Sequence, residues 1–395
     1  MAISDGGVGT RQCPACSSVV PDAGFCGVCG ARLDGPVGNW AILLRPRVYA
    51  NAHQEPIWTP RVSSALFPRV PGKPRKPFRL ALILVLIAIP VLAAARIPGP
   101  LGVLSILGWP LIFLIYSWRS EVFRDIPLRI LMATGVLGAG LGVSWWLFTG
   151  TMVANRYGVS TGESLLLIPV LNVGLLLSLG GAVLMLVPAL VTRLFPVPVR
   201  EALDGFVVGA GGALWYSTAA TTTILGPQFA EGLMEEQSAG RLLEDSLTYG
   251  IVNSICATAA GGLIGLSLWF QPDRRPGRDP RRARTALSIC TALGVLTYPG
   301  LWIVDSLELP RAADALVKLT LAVLALLAVR CGIQIALLHE TPDPATGDPI
   351  LCVHCERVVP DMAFCAACGT AARASSRSSR RLRHQYPPVR QPAPG

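Results

Sequence analysis

The cysteines of this chain are the residues whose type and spacing could do chemistry. Eight of the eleven form two sets, Cys13, Cys16, Cys26 and Cys29 near one end and Cys352, Cys355, Cys365 and Cys368 near the other. Two cysteines three positions apart can hold one ion from a tight turn, and two such pairs complete a tetrahedral set of thiolates. The spacing therefore predicts two structural zinc ions, one in each set. Because four thiolates leave no open coordination position, we expect neither ion to be catalytic.

The two cysteine sets belong to an internal repeat. Both repeats carry Val-Val-Pro-Asp, at Val19–Asp22 and at Val358–Asp361, and both place a phenylalanine before the third cysteine, Phe25 and Phe364. Modules this small rarely fold without disulfides or a bound metal ion. Metal binding would therefore supply much of their folding free energy.

Two other cysteine chemistries are compatible with the motif. The cysteines of each set could form two disulfides, or each Cys-x-x-Cys could be a thioredoxin-like redox pair. A reducing cytosol disfavours disulfides, and no strand–helix context of the thioredoxin kind surrounds either pair. Zinc is therefore the preferred interpretation. Residues 11–33 and 350–371 resemble the small zinc ribbons found at the ends of many bacterial membrane and regulatory proteins, which implies interaction modules for a cytosolic protein partner.

The long segment between the two modules has the composition of a membrane protein. The chain has 395 residues, 52% of them hydrophobic, and a mean hydropathy of +0.51, which excludes an ordinary soluble domain. A membrane-spanning helix needs about 20 mostly apolar residues. Residues 80–338 contain eight candidates, near 80–96, 100–118, 128–149, 164–190, 202–225, 246–270, 285–304 and 312–338. We therefore expect an all-α polytopic membrane bundle in the lipid bilayer, with a zinc ribbon at each end.

Lysine and arginine are distributed unevenly between the loops. They concentrate before the first candidate span and in the loops around 119–129, 193–200 and 274–284. Because positive residues near span ends favour the cytoplasmic side, the sequence predicts a multi-pass plasma-membrane protein with both termini in the cytoplasm. This asymmetry and attraction to anionic lipid headgroups explain the net charge of +10. Nucleic-acid binding is disfavoured because the ribbons lack interleaved aromatic and basic residues. The Arg-, Ala- and Gly-rich composition suggests a bacterial source.

Two further segments flank the predicted bundle. Residues 34–79 are rich in Pro and Arg, and we expect them to form a juxtamembrane linker along the membrane surface, with a small folded unit as the alternative. Residues 372–395 are rich in Ser, Arg and Pro. That composition predicts a disordered basic tail.

Few charged groups lie within the predicted spans. Asp204 opens the fifth span, and Lys318 and Arg330 lie in the last one. Long basic side chains near span ends can extend to the interface, and we expect Lys318 and Arg330 to do so.

Small and polar residues suggest how the spans pack. Glycines four positions apart, Gly138–Gly142, Gly205–Gly209 and Gly261–Gly265, predict helices in close contact. The polar residues that could line a path for a substrate are Asn172, Ser217, Thr218, Thr221, Thr222, Thr223, Asn253, Ser254 and Thr258. Serine and threonine in membrane helices commonly bond their own backbone, so this pattern is a weak indication of transport.

Two spans carry a pattern found in a known family. The stretch Arg200–Trp215 opens with Asp204-Gly205 and continues through small residues, and a later span reads Thr-Ala-Ala-Gly-Gly-Leu-Ile-Gly over Thr258–Gly265. Both resemble helices of the PrsW-type intramembrane metalloproteases, whose number of spans is also similar. The resemblance implies a zinc-dependent intramembrane protease.

The catalytic groups of that family are missing at the matching positions. The family needs a Glu-Glu pair on the preceding helix, a glutamate after the Asp-Gly helix and a histidine on the later one. Here residues 165–191 contain no acidic residue, Thr221–Thr223 stand where the second glutamate is expected, and Asn253 and Ser254 stand near the histidine position. Because a catalytic zinc needs such ligands, the sequence predicts a relative that has lost its catalytic residues.

The sequence thus favours a non-enzymatic docking, sensing or regulatory protein of the membrane. A PrsW-like protease or a degenerate relative of one is the first alternative. A small-molecule transporter is the second, motivated by the Gly- and Thr-rich fifth and sixth spans. No catalytic or cofactor-binding residue is predicted besides the eight zinc-binding cysteines.

Overall fold

Helices make up most of the fold. The computed structural model of the chain describes residues 9–34, 44, 48–52, 55–69, 75–156, 167–195, 199–230, 238–275, 279–307 and 309–386. In chain order the helices are α1 (Val62–Ala65), α2 (Arg75–Ala94), α3 (Pro98–Arg119), α4 (Val122–Asp125), α5 (Leu128–Arg156), α6 (Leu167–Val191), α7 (Ala202–Ala230), α8 (Ala239–Leu247), α9 (Asn253–Trp269), α10 (Pro280–Ser306), α11 (Arg311–His339) and α12 (Arg377–Gln385). Two antiparallel hairpins pair β1 (Thr10–Gln12) with β2 (Val19–Pro21) and β3 (Pro349–Leu351) with β4 (Val358–Pro360).

The described residues of each predicted span are helical, and the sixth span belongs to one helix made of α8, a π-helical stretch and α9. Among the described residues, five helices are long and apolar enough to cross a membrane: Pro98–Arg119, Leu128–Thr151, Ala239–Trp269, Pro280–Ser306 and Arg311–His339. Shorter apolar stretches are Phe78–Ala94 in α2 and Ser178–Leu194, which covers the end of α6 and the 3-10 turn after it. By length and composition, these helices are like those of a membrane protein.

Helix α7 occupies the centre of the bundle, where it contacts α3, α5, α6, α9 and α11. Glycines let it approach α9 closely. A methyl group added to Gly205 would overlap the carbonyl oxygen of Gly265, and one added to Gly209 would overlap that of Gly261. The two glycine pairs therefore face each other, as their spacing predicted.

The third glycine pair sets the distance between α5 and α7. A methyl group at Gly138 would overlap the carbonyl oxygen of Gly212, and one at Gly142 would lie 2.5 Å from the carbonyl oxygen of Tyr216. Such distances fall below any van der Waals contact, so the helices could keep this separation only without a side chain there. The prediction of close packing is confirmed on both sides of α7.

A methyl group at this central contact should be costly. We expect Gly209→Ala to destabilise the protein by about 1–3 kcal/mol, because overpacking forces the backbones apart. Gly140→Ala in α5 is the matched control, since a Cβ added at Gly140 meets nothing within 4 Å. Thermal unfolding of both variants in detergent measures the difference. Equal unfolding temperatures for the two variants would contradict the packing described here.

The segment before α2 is folded against the bundle in its described parts. In its described parts Tyr49, Ile57 and Phe67 are completely buried, although Trp58 is exposed. The ring of Phe67 packs edge-on against Phe78 of α2, with 4.6 Å between the ring centroids. The prediction of a surface linker is therefore wrong for residues 48–52 and 55–69, and the small folded unit describes them better. The other interfacial anchor expected there, Trp40, lies outside the described residues.

Candidate metal centres and their attachment to the bundle

Each cysteine module is a hairpin followed by a second tight turn. In the first module the amide of Ser17 donates to the carbonyl of Cys13 (2.8 Å), and the amide of Gly30 donates to the carbonyl of Cys26 (2.7 Å). Gly30 has a φ of +71°, a left-handed conformation that glycine adopts without strain. Each turn holds one Cys-x-x-Cys pair.

The second module repeats this backbone. The amide of Glu356 donates to the carbonyl of Cys352 (2.9 Å), and the amide of Gly369 donates to the carbonyl of Cys365 (2.8 Å). Gly369 has a φ of +75°, close to that of Gly30. The repeat seen in the sequence is therefore also a repeat of structure.

The sulfur atoms of each module form a cluster that could hold one metal ion. All four Sγ atoms lie within 4.8 Å of one another in both modules. The Cys13–Cys29 and Cys16–Cys26 distances are both 3.7 Å, and the Cys352–Cys368 and Cys355–Cys365 distances are both 3.8 Å. A tetrahedral ion with metal–sulfur bonds of about 2.3 Å requires sulfurs about 3.8 Å apart. All eight are free thiols in the structure, and their geometry fits metal binding.

The two modules contact each other in a symmetric way. The amide of Phe25 donates to the carbonyl of Ala366 (3.0 Å), and the amide of Phe364 donates to the carbonyl of Gly27 (2.8 Å). Phe364 occupies in the second module the position of Phe25 in the first, and Ala366 that of Gly27. The two hydrogen bonds are therefore related by a local twofold axis.

Side chains follow the same symmetry. The ring of Phe25 lies against Gly369 and the ring of Phe364 lies against Gly30, so closely that a Cβ on either glycine would stand less than 3 Å from the ring. Each phenylalanine thus packs on the turn that holds the other module's second cysteine pair. We call this arrangement the ribbon pair.

The ribbon pair is attached to the bundle through the second module. The amide of Ala371 donates to the carbonyl of Ala50 in the segment before α1 (2.8 Å). Arg373 forms ion pairs with Glu340 (3.1 Å), at the end of α11, and with Asp343 (2.7 Å). Glu340 also accepts a hydrogen bond from the amide of Ala202, the first residue of α7 (2.9 Å). One carboxylate therefore ties the second module to two helices of the bundle.

Beside this attachment lies a buried group of ion pairs, which we call the ionic cluster. Its members are Arg69, Asp125, Glu201, Asp204, Arg377 and Arg380. Arg69 is at its centre, with its side chain fully buried and its guanidinium 3.3 Å from Asp125, 3.0 Å from Glu201 and 2.6 Å from Asp204. Three carboxylates, one from α4 and two from the start of α7, thus share one arginine.

The tail supplies the remaining positive charges. Arg377 contacts Glu201 at 3.3 Å and Asp204 at 3.1 Å, and Arg380 forms a close ion pair with Glu201. The amides of Arg377 and Ser378, in the first turn of α12, both donate to the carboxylate of Asp125. A carboxylate at a helix N-terminus also interacts favourably with the helix dipole.

Helix α12 corrects the prediction of a disordered tail. Ser376 caps its first turn by accepting a hydrogen bond from the amide of Ser379. Residues as far as Tyr386 are placed by these contacts, whereas residues 387–395 lie outside the described part of the chain.

The charges around Glu201 make the contribution of this residue to stability depend on pH. Burial alone would raise the pKa of Glu201, but the three guanidinium groups around it outweigh burial and lower the pKa to about 2 from its usual 4.5. A lowered pKa means that the carboxylate contributes its full stability above pH 4.5 and loses it as the pH falls toward 2.

The stability advantage of the wild type over Glu201→Gln should therefore shrink as the pH falls below 4.5 toward 2, because the wild-type carboxylate then loses its contribution. Thermal unfolding of the two proteins at pH 6 and at pH 3 tests this expectation. An advantage of the wild type that is as large at pH 3 as at pH 6 would contradict the lowered pKa of Glu201.

Arg330 is buried in a second polar site and does not extend to the membrane interface. Its Nη1 donates to Ser64 Oγ (2.5 Å) and lies 3.3 Å from the Glu55 carboxylate, and its Nε donates to the carbonyl of Ile57 (2.9 Å). The ring of Tyr49 stacks on the guanidinium, 4.0 Å away. The expectation for this residue is wrong because its partners come from the folded segment before α2.

Lys318 also differs from expectation. Its ammonium is nearly buried and lies 2.5 Å from Asp305 and 2.8 Å from Asp314. Asp314 is one turn earlier on the same helix, and Asp305 is near the end of α10. An ion pair between two helices therefore replaces the predicted extension to the interface.

The polar residues considered for a substrate path mostly bond within their own helices. The hydroxyls of Thr218, Thr222 and Thr258 each donate to the carbonyl four residues earlier. Asn253 donates to Ser217 (3.2 Å), which links α9 to α7. The side chain of Asn172 lies outside the described residues.

Comparison of the chain with protein-family models, with curated proteins and with solved structures returns no match. The similarity to PrsW-type proteases therefore rests on the sequence pattern alone. In the structure Asp204, which opens that pattern, is ion-paired with Arg69 and Arg377. Among the described residues, the groups of side chains that could hold a metal ion are the two cysteine sets.

No pattern of nearby residues in the sequence predicted the ionic cluster. Its positive members lie in segments interpreted as linker and tail, and Asp125 and Glu201 lie in short loops between spans. The available signal was the presence of acidic residues in loops otherwise rich in arginine.

Proposed function

We propose that the chain is an integral membrane protein that uses two zinc-stabilised ribbons, held together as one platform, to dock a cytosolic protein. The observation that carries this proposal is the ribbon pair and its attachment to the ends of α7 and α11. Because the ribbon pair is attached to the central helix α7, a displacement of α7 would also displace the ribbon pair. This suits a sensing or regulatory protein better than a passive anchor.

Zinc is the proposed occupant of both sites. Cys13, Cys16, Cys26 and Cys29 would hold one ion, and Cys352, Cys355, Cys365 and Cys368 the other. Closed tetrahedral sets of four cysteines are typical of structural zinc. When bound, the ion would supply folding free energy to a module whose own core is only a few side chains.

The proposed topology has eight spans and both termini in the cytoplasm of a bacterial cell. Support comes from residues that meet at one end of the bundle. Arg69 precedes the first predicted span, Asp125 lies between the second and third, Glu201 between the fourth and fifth, and Arg377 after the last. Such a meeting requires an even number of crossings between each of these positions. The arginine-rich loops lie at this end, which favours the cytoplasmic side.

Two alternatives have less support. A PrsW-like protease would use the Asp204 helix for catalysis, whereas Asp204 is neutralised by arginines from the tail and the segment before α2. A transporter would need polar groups turned toward a path, whereas the hydroxyls of Thr222 and Thr258 are engaged by their own helices. Neither alternative explains the ribbon pair.

Two valines at matching positions of the ribbons offer a test. Val19 in β2 is 70% exposed and Val358 in β4 is 45% exposed, which places an apolar side chain on the open face of each hairpin. The double variant Val19→Asp, Val358→Asp should lose its partners in cross-linking from cells while keeping its zinc, because neither valine is a ligand. Wild type provides the reference for both measurements. Recovery of the same partners at wild-type levels by this variant, and by variants of the ribbon cysteines, would refute docking through the ribbons.

A further inference from the structure

A basic pocket lies at the same end of the bundle, away from the ribbon cysteines. It has a volume of about 610 Å³, within the range of ligand pockets. Its walls come from the residues just after α6 and just before α7, from the end of α9 and the residues after it, from the first turns of α10 and from Thr341 after α11. The site therefore sits where four helices of the bundle end.

The charge of this pocket is strongly positive. Its basic lining residues are Arg193, Arg200, Arg274, Arg275 and Arg284. The single acidic residue among the described lining residues is Asp273, which lies 3.7 Å from Arg275. Guanidinium groups that converge on one cavity create a positive potential there, which attracts anions. Planar guanidinium groups match the oxygens of a phosphate particularly well.

The floor of the pocket is built on paired backbone. The amide of Asp273 donates to the carbonyl of His339 (2.7 Å), and the amide of Thr341 donates to the carbonyl of Gln271 (3.0 Å). On the opposite wall Arg200 donates to the carbonyl of Arg193 (3.3 Å). These contacts fix the pocket's shape before any ligand arrives.

The surroundings of the pocket identify the source of the anion. Helices α6 and α10 contact each other beside it. Leu190 of α6, Leu194 in the turn after it, and Ile289 and Leu293 of α10 are each about half exposed or more. A soluble anion would not bury this apolar surface, whereas the acyl chains of a lipid would.

We propose that the basic pocket binds the phosphate headgroup of an anionic phospholipid whose acyl chains lie along α6 and α10. Basic pockets between membrane helices on the cytoplasmic side are suited to such headgroups. This role is independent of the ribbons and of their partner.

The test is native mass spectrometry of the full chain in detergent, with phosphatidylglycerol or phosphatidylcholine added. The variant Arg193→Gln, Arg284→Gln removes two charges from the pocket. The matched control Arg281→Gln, Arg282→Gln removes two charges from the first turn of α10, where neither arginine lines the pocket. All four side chains are exposed, so folding should be preserved.

We expect the wild type and the control to retain phosphatidylglycerol in preference to phosphatidylcholine. The pocket variant should bind phosphatidylglycerol more weakly by about 5-fold for each charge removed, and thus about 25-fold in all. Equal losses in the pocket variant and the control, or equal retention of the two lipids, would overturn the proposal. Displacement of phosphatidylglycerol by millimolar inorganic phosphate would overturn it as well, because the ligand would then be a soluble anion.

Discussion

Replacement of Arg69 by methionine should lower the free energy of unfolding by about 3–5 kcal/mol, the cost of breaking a buried ion pair by removing one partner. Arg69 contacts all three carboxylates of the ionic cluster. Without it, three negative charges would face only Arg377 and Arg380 in a site closed to water. Methionine keeps most of the volume, so the lost charge accounts for the effect. The apparent unfolding temperature in detergent measures it.

Arg124→Met is the matched control for this prediction. Arg124 pairs with Glu121 at 3.2 Å on the same side of the bundle, but its side chain is 64% exposed. Exposed pairs contribute only about 0–1 kcal/mol, so this variant should unfold nearly as the wild type does. If Arg69→Met and Arg124→Met lowered the unfolding temperature equally, the ionic cluster would not stabilise the protein in the way its burial implies.

The helices and the cysteine sites could be predicted because their signals are local. A run of apolar residues specifies a span by itself, and Gly205–Gly209 specifies a smooth helix face whatever packs on it. Likewise, Cys13 and Cys16 need only a tight turn between them to present two thiolates. Each of these predictions depended on residues within a few positions of each other.

The buried charges could not be predicted because their partners are distant in the chain. Arg330 lies 275 positions from Glu55, and Arg377 lies 176 positions from Glu201. When an arginine in an apolar helix has no known partner, the arrangement of lowest expected energy is one in which its side chain extends to the membrane interface. That argument fails for Arg330 because a polar segment folds over it and supplies carbonyl and carboxylate acceptors.

Helix α12 in the tail could not be predicted either, because it too depends on distant residues. Arg377–Gln385 has too little apolar surface to fold on its own, which is why its composition predicts disorder. In the structure its arginines are neutralised by Glu201 and Asp204, and its first amides are capped by Asp125. The bundle therefore supplies the stabilisation that the segment lacks.

Loss of zinc should affect the two ends of the chain differently, although the two sites are alike. The wild type should carry two zinc ions, and the matched variants Cys26→Ser and Cys365→Ser should carry one each, as measured by metal analysis of purified protein. Structural zinc contributes roughly 10–16 kcal/mol to the folding of such modules. Each variant should therefore unfold its own ribbon. Cys256→Ser is the control and should keep two ions, since Cys256 is buried in α9 among apolar residues.

The asymmetry follows from how the second ribbon leads into the tail. Ala371 and Arg373, just beyond its last cysteine, contact Ala50 and Glu340 of the bundle, and α12 begins at Arg377. Unfolding of this ribbon should release α12, so trypsin should cleave at the α12 arginines faster in Cys365→Ser than in the wild type. Cys26→Ser should leave α12 protected from trypsin. The first ribbon contacts the second ribbon, but the chain that follows it does not lead into α12. Equal cleavage in the two variants would mean that the ribbon pair, rather than the second ribbon alone, holds the tail on the bundle.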